Sequence, residues 1–526
     1  MFYVLLKRFF VFTVIALLMG GCRGGANPSP AQLPAQLEEK PFVVALDSAP
    51  TQLDPRLATD AYSERIGNLL FNSLIRIDQG KIVPDLAERW EIEGDTRYTF
   101  YLKPNVLFHD GHKLTADDVR YTYASIQDPA LSSPRAKAFE KVQIETPDAA
   151  TIRFILGKPS APFLSQMTTG IVPRHLAEKD PAAFSAHPVG SGPFSFVRYE
   201  SDSVVELHAF PGYSQGKPLA GVAPPAISRL LFRIIPDEST RLLELSKGNI
   251  DLLQNAFPPD SLLHLQKNPA LKVQSALSTT YAYLGFNLTD PILKDGRVRE
   301  AIGHAIDKES ITKYIFRDLA APANNILTDR HWAYTPTVSD AYDPKQASRL
   351  LDEAGYKPDR SGVRFRLIYK TSQNELGRRV AEVIQGQLAD VGIAVTIRSY
   401  EWGTFFSDVK SGNFQLFSLQ WVGINDPDIF YDLFHSQAIP PNGSNRVRFK
   451  NEKMDRLVEA GRVLGDPEKR KRVYKEVQEI FREERPYISL WHTKNVAVMK
   501  KEVTGYTLYE NGDFYSLKDV TLNGIP

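Results

Sequence analysis

The sequence predicts an α/β fold with at least two lobes. Short apolar runs alternate along the chain with segments of helical spacing, which favours helices layered on sheets with largely parallel pairing. The chain has 526 residues, of which 43% are hydrophobic. Because single cores rarely grow beyond about 250–300 residues, a chain of this length is expected to build more than one core.

The first elements are predicted from spacing and alternation. Residues 42–48 (FVVALDS) begin with five apolar side chains, which predicts a buried strand. Residues 59–74 place apolar side chains at helical spacing and predict a helix. Apolar and polar residues alternate in 97–103 (RYTFYLK) and 151–156 (TIRFIL), so each predicts a strand with one solvated face.

Helix boundaries in the second half of the chain carry explicit signals. Asp343 and Asp466 each precede a proline, which places a capping carboxylate before a proline at the first helical position. Gly355 follows where a left-handed residue would end the first of these helices. Residues 377–402 predict a helix, a glycine stop and a strand, and 412–421 (GNFQLFSLQW) predict the next strand.

One segment, 108–123 (FHDGHKLTADDVRYTY), concentrates histidines and aspartates as an active site would. Thr115 and Asp118 have the spacing of a capping box, and carboxylates in the first turn favour the positive end of the helix dipole. An Asp-Gly pair between His109 and His112 predicts a tight turn. A zinc site here would need a third ligand, so we expect a structural corner and no metal.

The N-terminus predicts export and lipidation. Residues 1–21 form a signal peptide pattern, in which a Lys-Arg pair precedes an apolar run (9–19) too short to span a bilayer. The run ends at Cys22, the only cysteine, in a sequence that resembles a lipobox. The alternative is an ordinary cleavage site beside an unused thiol. Residues 22–40 predict a flexible tether, so the body is expected outside the cytoplasm, anchored through lipid only.

Composition and motifs exclude several classes of function. The 63 basic and 62 acidic residues nearly cancel, so no broad field attracts nucleic acid or an anionic membrane. The sequence has no G-x-S-x-G, no H-E-x-x-H and no phosphate-binding loop. We therefore expect no enzyme and no cofactor, with an exported peptide or murein hydrolase as the alternative of another class.

Seven segments together resemble one protein family. Residues 108–123 resemble the F-H-D-G-x-P-L-T-A-x-D-V-x-Y signature of extracytoplasmic solute-binding proteins, family 5, of peptide and nickel ABC transporters, although Lys113 stands where proline is usual. The other segments follow in the family's order: LDPRLATD (53–60), IVPDLAERWEI (82–92), HPVGSGPFSFVRYE (187–200), DGRVREAIGHAIDKESI (295–311), YDPKQASRLLDEAGY (342–356) and ERPYISLW (484–491).

The resemblance implies a two-lobed periplasmic-binding-protein fold with a hinged cleft. Lobe I would comprise residues 42–284 and 491–526, with an extra subdomain at 81–188, and lobe II would comprise 287–489. Such a protein binds a peptide or peptide-like small ligand by lobe closure and delivers it to ABC transporter permease subunits, most simply as a monomer. A sensor that reports the closed state to a receptor is an alternative use of the same fold.

The resemblance also implies where the ligand binds. The expected ligand-binding residues are Ser48, Ala49, Lys370, Thr371, Gln373, Trp402, Trp421, Val422, Gly423, Ile424, Asn425 and Asp426.

Two of these positions depart from the dipeptide-binding pattern. Ile424 stands three residues after Trp421, where relatives place the aspartate that pairs with a ligand's α-amino group, and Thr371 stands where they place an arginine for its carboxylate. Asp426 and Lys370 are the nearest replacements. Alternatively the ligand lacks a free amine and is a modified peptide, a nickel chelate, an opine or a sugar. The tryptophans are candidates for stacking on the ligand or for the core.

Overall fold

The computed structural model describes residues 40–78, 80–213, 224–336 and 341–522. The predicted signal peptide, Cys22 and the tether therefore lie outside the described residues. Residues from Pro41 onward form one compact unit. Within the described ranges, no helix is both long enough and apolar enough to cross a membrane.

The described residues contain nineteen strands. Their bounds are β1 Phe42–Leu46, β2 Ile75–Asp78, β3 Lys81–Pro84, β4 Ala87–Glu93, β5 Arg97–Leu102, β6 Gln143–Asp148, β7 Thr151–Ile155, β8 Phe194–Glu200, β9 Val204–Ala209, β10 Arg229–Ile234, β11 Leu252–Gln254, β12 Leu271–Phe286, β13 Ala320–Pro322, β14 Phe365–Ser372, β15 Ile393–Tyr400, β16 Leu416–Trp421, β17 Tyr487–Lys500, β18 Val503–Thr504 and β19 Thr521–Leu522.

Fourteen α-helices lie among these strands in the same described ranges. Their bounds are α1 Ala61–Leu70, α2 Ala116–Gln127, α3 Arg174–Ala177, α4 Pro181–Ala186, α5 Glu238–Ser246, α6 Leu262–Gln266, α7 Gly296–Ala305, α8 Lys308–Tyr314, α9 Pro344–Glu353, α10 Glu375–Asp390, α11 Trp402–Ser411, α12 Ile429–Phe434, α13 Glu452–Val463 and α14 Pro467–Glu484.

Most strands join one sheet, in the order β15-β14-β16-β12-β17-β11-β1-β10-β9-β8, with β13 also paired to β17. The predicted α/β class is confirmed, but the expectation of largely parallel pairing is wrong. Among the described strands of this sheet, only β1 with β10 and β11, and β14 with β15 and β16, pair in parallel. The other neighbours are antiparallel, as in the hairpin β8–β9 and the long pair β12–β17. Alternation of helices and strands along the sequence did not predict this, because it does not fix the relative direction of strands that become neighbours.

The local signals in the sequence are confirmed as helix caps. Asp343 and Asp466 accept hydrogen bonds from the first backbone amides of α9 and α14, and Gly355 adopts the left-handed conformation after α9. Thr115 and Asp118 form the predicted capping box of α2, in which the Thr115 amide donates to the Asp118 carboxylate at 2.9 Å. These elements depend on contacts within about four residues, which is why the sequence alone located them.

The packed cores define the two lobes that carry the site. Buried residues from 42–271 and 496–520 form two clusters on the two faces of the β1 half of the sheet, and we call this part lobe I. Residues 281–491 form two clusters on the β14 half, called lobe II. A fifth core, drawn from 74–171, surrounds the antiparallel sheet β4-β5-β7-β6. The residue boundaries given above for the lobes stay a prediction.

Candidate functional site

The carboxyl ends of strands from both lobes lie at the junction between the lobes. Strand β12 leaves lobe I and enters lobe II, and β1 runs the same way, because β1 is parallel to β11 and both β11 and β12 are antiparallel to β17. Strand β16 is antiparallel to β12 and β14 is parallel to β16, so these strands run back toward lobe I. Ligands of open α/β sheets bind outside strand carboxyl ends, which makes this junction the candidate cleft.

On the lobe I side, the predicted residues Ser48 and Ala49 follow directly after β1. Ser48 is exposed and Ala49 is half-buried. Asp47 beside them accepts a hydrogen bond from the Tyr62 hydroxyl at 2.8 Å. Burial and the Asp47 carboxylate raise the pKa of the Tyr62 phenol, so it remains a donor across the physiological range. The loop therefore offers hydroxyl and backbone groups to the cleft.

On the lobe II side, three predicted residues lie at the end of β14. Thr371 is buried, and Gln373 just after the strand is exposed. Lys370 is also buried, and its Nζ donates to Asp408 Oδ2 at 2.7 Å. This hydrogen bond lowers the pKa of Asp408. Lys370 is thus already neutralised by a carboxylate of its own lobe.

An aromatic wall lies at the same edge, next to the ends of β15 and β16. Trp402 at the start of α11 is 55% exposed and stacks on Phe406, with ring centroids 5.4 Å apart. Trp421 ends β16 and is half-buried. After it the chain turns outward, with Val422 73% exposed and Gly423 at a φ of 73°. We call Trp402, Phe406 and Trp421 the aromatic wall.

Sequence reasoning did not identify Arg446, which lies against this wall. Its guanidinium carbon is 4.2 Å from the Trp421 ring centroid and 5.0 Å from that of Phe406. One guanidinium nitrogen also donates to the Tyr283 hydroxyl at 3.3 Å. Among the described residues, Arg446 forms no ion pair with a carboxylate. A single arginine in a loop 25 positions after Trp421 carries no pattern that would have marked it.

The segment after the wall is built differently. Ile424 is 6% exposed and packs in an aromatic core of lobe II. The carboxylate of Asp426 receives both terminal nitrogens of Arg470, at 2.9 and 2.5 Å, and one of its oxygens also accepts the backbone amide of Asp428. Asp428 pairs with Arg462 at 3.0 Å, yet burial raises the pKa of Asp428 to about 6. The acids of this segment therefore already have partners.

Asn425 lines two cavities between the lobes, besides a small one of about 10 Å³. One of about 160 Å³ is lined mainly by polar residues of lobe I, including Arg76 and Asp513. The other, of about 300 Å³, is mostly apolar and lies between the subdomain and Trp332 and Arg470 of lobe II.

Three ion pairs among the described residues join the lobes near this junction. Asp260 contacts Arg317 at 2.9 Å and Arg379 at 3.5 Å, and Arg330 contacts Glu510 at 2.8 Å. All three are partly solvated, so each contributes little to holding the lobes together.

The structure thus separates the predicted residues into groups. Residues 370–373 and 421–423, with Trp402, meet at the carboxyl edge of lobe II, whereas Ile424 packs in the core and Asn425 and Asp426 line the cavities. Ser48 and Ala49 occupy the corresponding edge of lobe I. Their roles as ligand contacts stay predictions.

Comparison with known proteins identifies the family. Residues 81–441 match the family model of bacterial extracellular solute-binding proteins, family 5, middle region. The chain belongs to this family. It is 29% identical to the dipeptide-binding protein of Escherichia coli over 90% of this chain and 93% of the relative, and 30% identical to heme-binding protein A of Haemophilus influenzae over 95% and 96%.

A solved structure gives the same result. NikZ from Campylobacter jejuni, in complex with Ni(L-His), superposes with a TM-score of 0.75 at 27% identity, covering 91% of this chain and 99% of that one. The two-lobed fold is therefore confirmed, and this family 5 protein is an extracytoplasmic solute-binding protein, not an enzyme.

Proposed function

We propose that this family 5 protein captures a peptide or peptide-like ligand between its lobes and delivers it to the permease of an ABC transporter, while a lipid on Cys22 holds it at the membrane. One observation carries the proposal: the carboxyl ends of strands from the two lobes face each other across one cleft. The similarity to the Escherichia coli dipeptide-binding protein supports a peptide as the ligand class.

Arg446 would bind a carboxylate of the ligand. The rings of Trp421 and Phe406 restrict its guanidinium, so little rotational freedom is lost when a carboxylate binds. Hydrogen bonds between such charged groups contribute about 1.5–3 kcal/mol each when desolvated. Arg446 would thus replace the arginine that the family resemblance expects at Thr371, from a different element of the same lobe.

The opposite end of the ligand would meet no unpaired carboxylate in the segment 424–428. Ile424 offers no charge to an α-amino group, and the Asp426 carboxylate already binds Arg470. This arrangement favours a ligand whose amino end is blocked or absent over an ordinary dipeptide. A metal chelate bearing a carboxylate is the second candidate, because it would need Arg446 but no acid; the similarity to a nickel-chelate complex supports it.

Closure would occur where β12 and β17 cross between the lobes. Their pairing is interrupted between Leu277 and Tyr281, where Ser278 instead contacts the Thr493 hydroxyl at 2.9 Å. A break in two adjacent strands concentrates rotation in a few residues, as in hinged domain closure. The lobe boundaries predicted from the resemblance lie within a few residues of this break.

The first test identifies the ligand. The purified full-length chain would be denatured, and the released compounds analysed by mass spectrometry with metal analysis. We expect about one equivalent of a compound that carries a carboxylate, without a free α-amino group. Released dipeptides with free amino ends would contradict the interpretation of Ile424, and a neutral sugar would contradict the role of Arg446.

The second test concerns mechanism and partner. Small-angle scattering should show a smaller radius of gyration with the ligand than after its removal. An unchanged radius at saturating ligand would contradict closure. Co-purification with permease subunits is expected, whereas exclusive co-purification with a signalling receptor would replace delivery by sensing.

A further inference from the structure

Three potential metal ligands meet on the surface of lobe I, in the segment that the sequence suggested was only a corner. Asp110 and His112 lie in the predicted turn, and α3 contributes His175. Asp110 Oδ2 is 3.1 Å from His112 Nδ1 and 2.6 Å from His175 Nε2. The two imidazole rings are 4.1 Å apart between centroids. The third ligand, which the segment 108–123 lacks, is thus supplied by His175, 63 positions beyond His112.

The backbone around these side chains is firmly built. The amide of Gly111 donates to the Phe108 carbonyl at 2.9 Å, and the Phe108 amide donates to the His112 carbonyl at 2.8 Å. Phe108 is fully buried, and its ring packs edge-on against His175. Buried contacts therefore hold the turn and α3 together, and the cluster is not an accidental meeting of long, flexible side chains.

The Asp110 carboxylate is oriented by the turn itself. Its Oδ1 accepts the backbone amide of His112 at 3.1 Å, which leaves Oδ2 directed at both imidazoles. A hydrogen bond of this kind to the non-ligating oxygen fixes the direction of a ligating carboxylate.

We propose that Asp110, His112 and His175 bind one divalent transition-metal ion, such as Zn²⁺ or Ni²⁺, at a site separate from the ligand cleft. Two imidazole nitrogens with one carboxylate oxygen favour these ions over Mg²⁺ and Ca²⁺, which prefer oxygen ligands. Ligands placed about 2.1 Å from a tetrahedral ion lie about 3.4 Å apart, so the two distances from Asp110 Oδ2 to the imidazole nitrogens need to lengthen by less than about 1 Å. The His112 side chain is 64% exposed, which leaves an entry path and a position for water.

A bound ion would act as a cross-link between the turn and α3. Without metal, the Asp110 side chain joins these elements through contacts with two partly exposed histidines. Because the ion would bind the folded arrangement and not the unfolded chain, saturating metal should raise the unfolding temperature.

The test is a Zn²⁺ titration of the untagged full-length chain by calorimetry, repeated in millimolar Mg²⁺. We expect one saturable site of micromolar affinity that Mg²⁺ does not displace. His112→Ala and His175→Ala should each weaken binding at least tenfold and abolish the Zn²⁺-dependent rise in unfolding temperature. His264→Ala, at an exposed histidine on α6, is the matched control and should leave both unchanged.

Three outcomes would overturn the proposal. The first is the absence of saturable binding below about 100 μM Zn²⁺. The second is undiminished binding by His175→Ala, which would place the ion elsewhere, for example on Cys22. The third is undiminished binding by His112→Ala, which would leave the proposed site with only two of its three ligands. Circular dichroism of each metal-free variant should match that of the unsubstituted chain, so that misfolding is not mistaken for a lost ligand.

Discussion

The aromatic wall and the segment 424–428 are neighbours in lobe II, and both lie beside charged groups, but those charges have different surroundings. In the segment, Asp426 binds Arg470 through both oxygens. At the wall, the guanidinium of Arg446 rests on two rings and has no carboxylate partner among the described residues. Partnered buried charges are part of the folded structure, whereas a charge held on aromatic faces remains available to a ligand.

The same contrast applies to Lys370, which sequence reasoning proposed as a replacement for the missing arginine. Lys370 lies at the expected edge but pairs with Asp408. Arg446 lies at that edge too and forms no such pair with any carboxylate in the described part of the chain. We therefore expect the presence of an internal partner, and not proximity to the site, to decide which cation meets the ligand.

The largest expected effect tests the partnered side of this contrast. Asp426→Ala should lower the free energy of unfolding by about 3–5 kcal/mol, because it leaves the buried guanidinium of Arg470 without its counter-charge. Urea denaturation measures the change. Glu452→Ala is the control, since this carboxylate is 95% exposed and its removal should cost less than about 0.5 kcal/mol. Full stability with lost ligand binding would instead make Asp426 a ligand contact.

The next largest effect tests Arg446, the cation that is available to a ligand. Arg446→Leu should weaken binding of the carboxylate-bearing ligand about 10–100-fold, the equivalent of about one or two charged hydrogen bonds. Its free energy of unfolding should change by less than about 1 kcal/mol, because no internal carboxylate loses a partner. Calorimetric titration and urea denaturation measure the two quantities.

Lys370→Met is the matched comparison for Arg446→Leu. It should show the opposite pattern, with a clear loss of stability because Asp408 loses its buried counter-charge. If Lys370→Met weakened ligand binding more than Arg446→Leu did, the assignment of the two cations would be reversed.

The smallest expected effect concerns pH. The folded state holds a proton on Asp428 up to a pKa of about 6, whereas an unfolded aspartate titrates near 3.9. The contribution of Asp428 to stability is thus fully present below about pH 4 and is lost as pH rises through 6. Lowering the pH from 7 to 5 should therefore let Asp428 add about 1 kcal/mol to the free energy of unfolding.

Asp428→Asn isolates this contribution. Urea denaturation at pH 5 and pH 7 measures how much the free energy of unfolding rises when the pH is lowered. This rise should be about 1 kcal/mol smaller in the variant than in the unsubstituted chain. Asp117→Asn, at an exposed aspartate, should leave the pH profile unchanged. Identical profiles for Asp428→Asn and the unsubstituted chain would show that Asp428 is ionised at pH 7 despite its burial.

Local features were predictable from the sequence because the interacting groups are close along the chain. The caps of α9 and α14 and the capping box of α2 join residues at most three positions apart. The family signature extended this reach, since it implied the two lobes and the edge where residues 370–373 and 421–423 meet. The direction of strand pairing was not predictable, because β12 and β17 pair across more than 200 positions.

The sequence by itself determined the capped starts of α2, α9 and α14, the α/β class, the family and the approximate place of the cleft. Only the tertiary structure decided which charges are available and which are partnered. It brought Arg470 to Asp426 across 44 positions, Arg446 to Tyr283 across 163, and His175 to Asp110 across 65. The physical reason is that an ion pair or a metal site depends on distances of a few ångströms, and spacing along the chain sets such distances only within a turn or two of helix or strand.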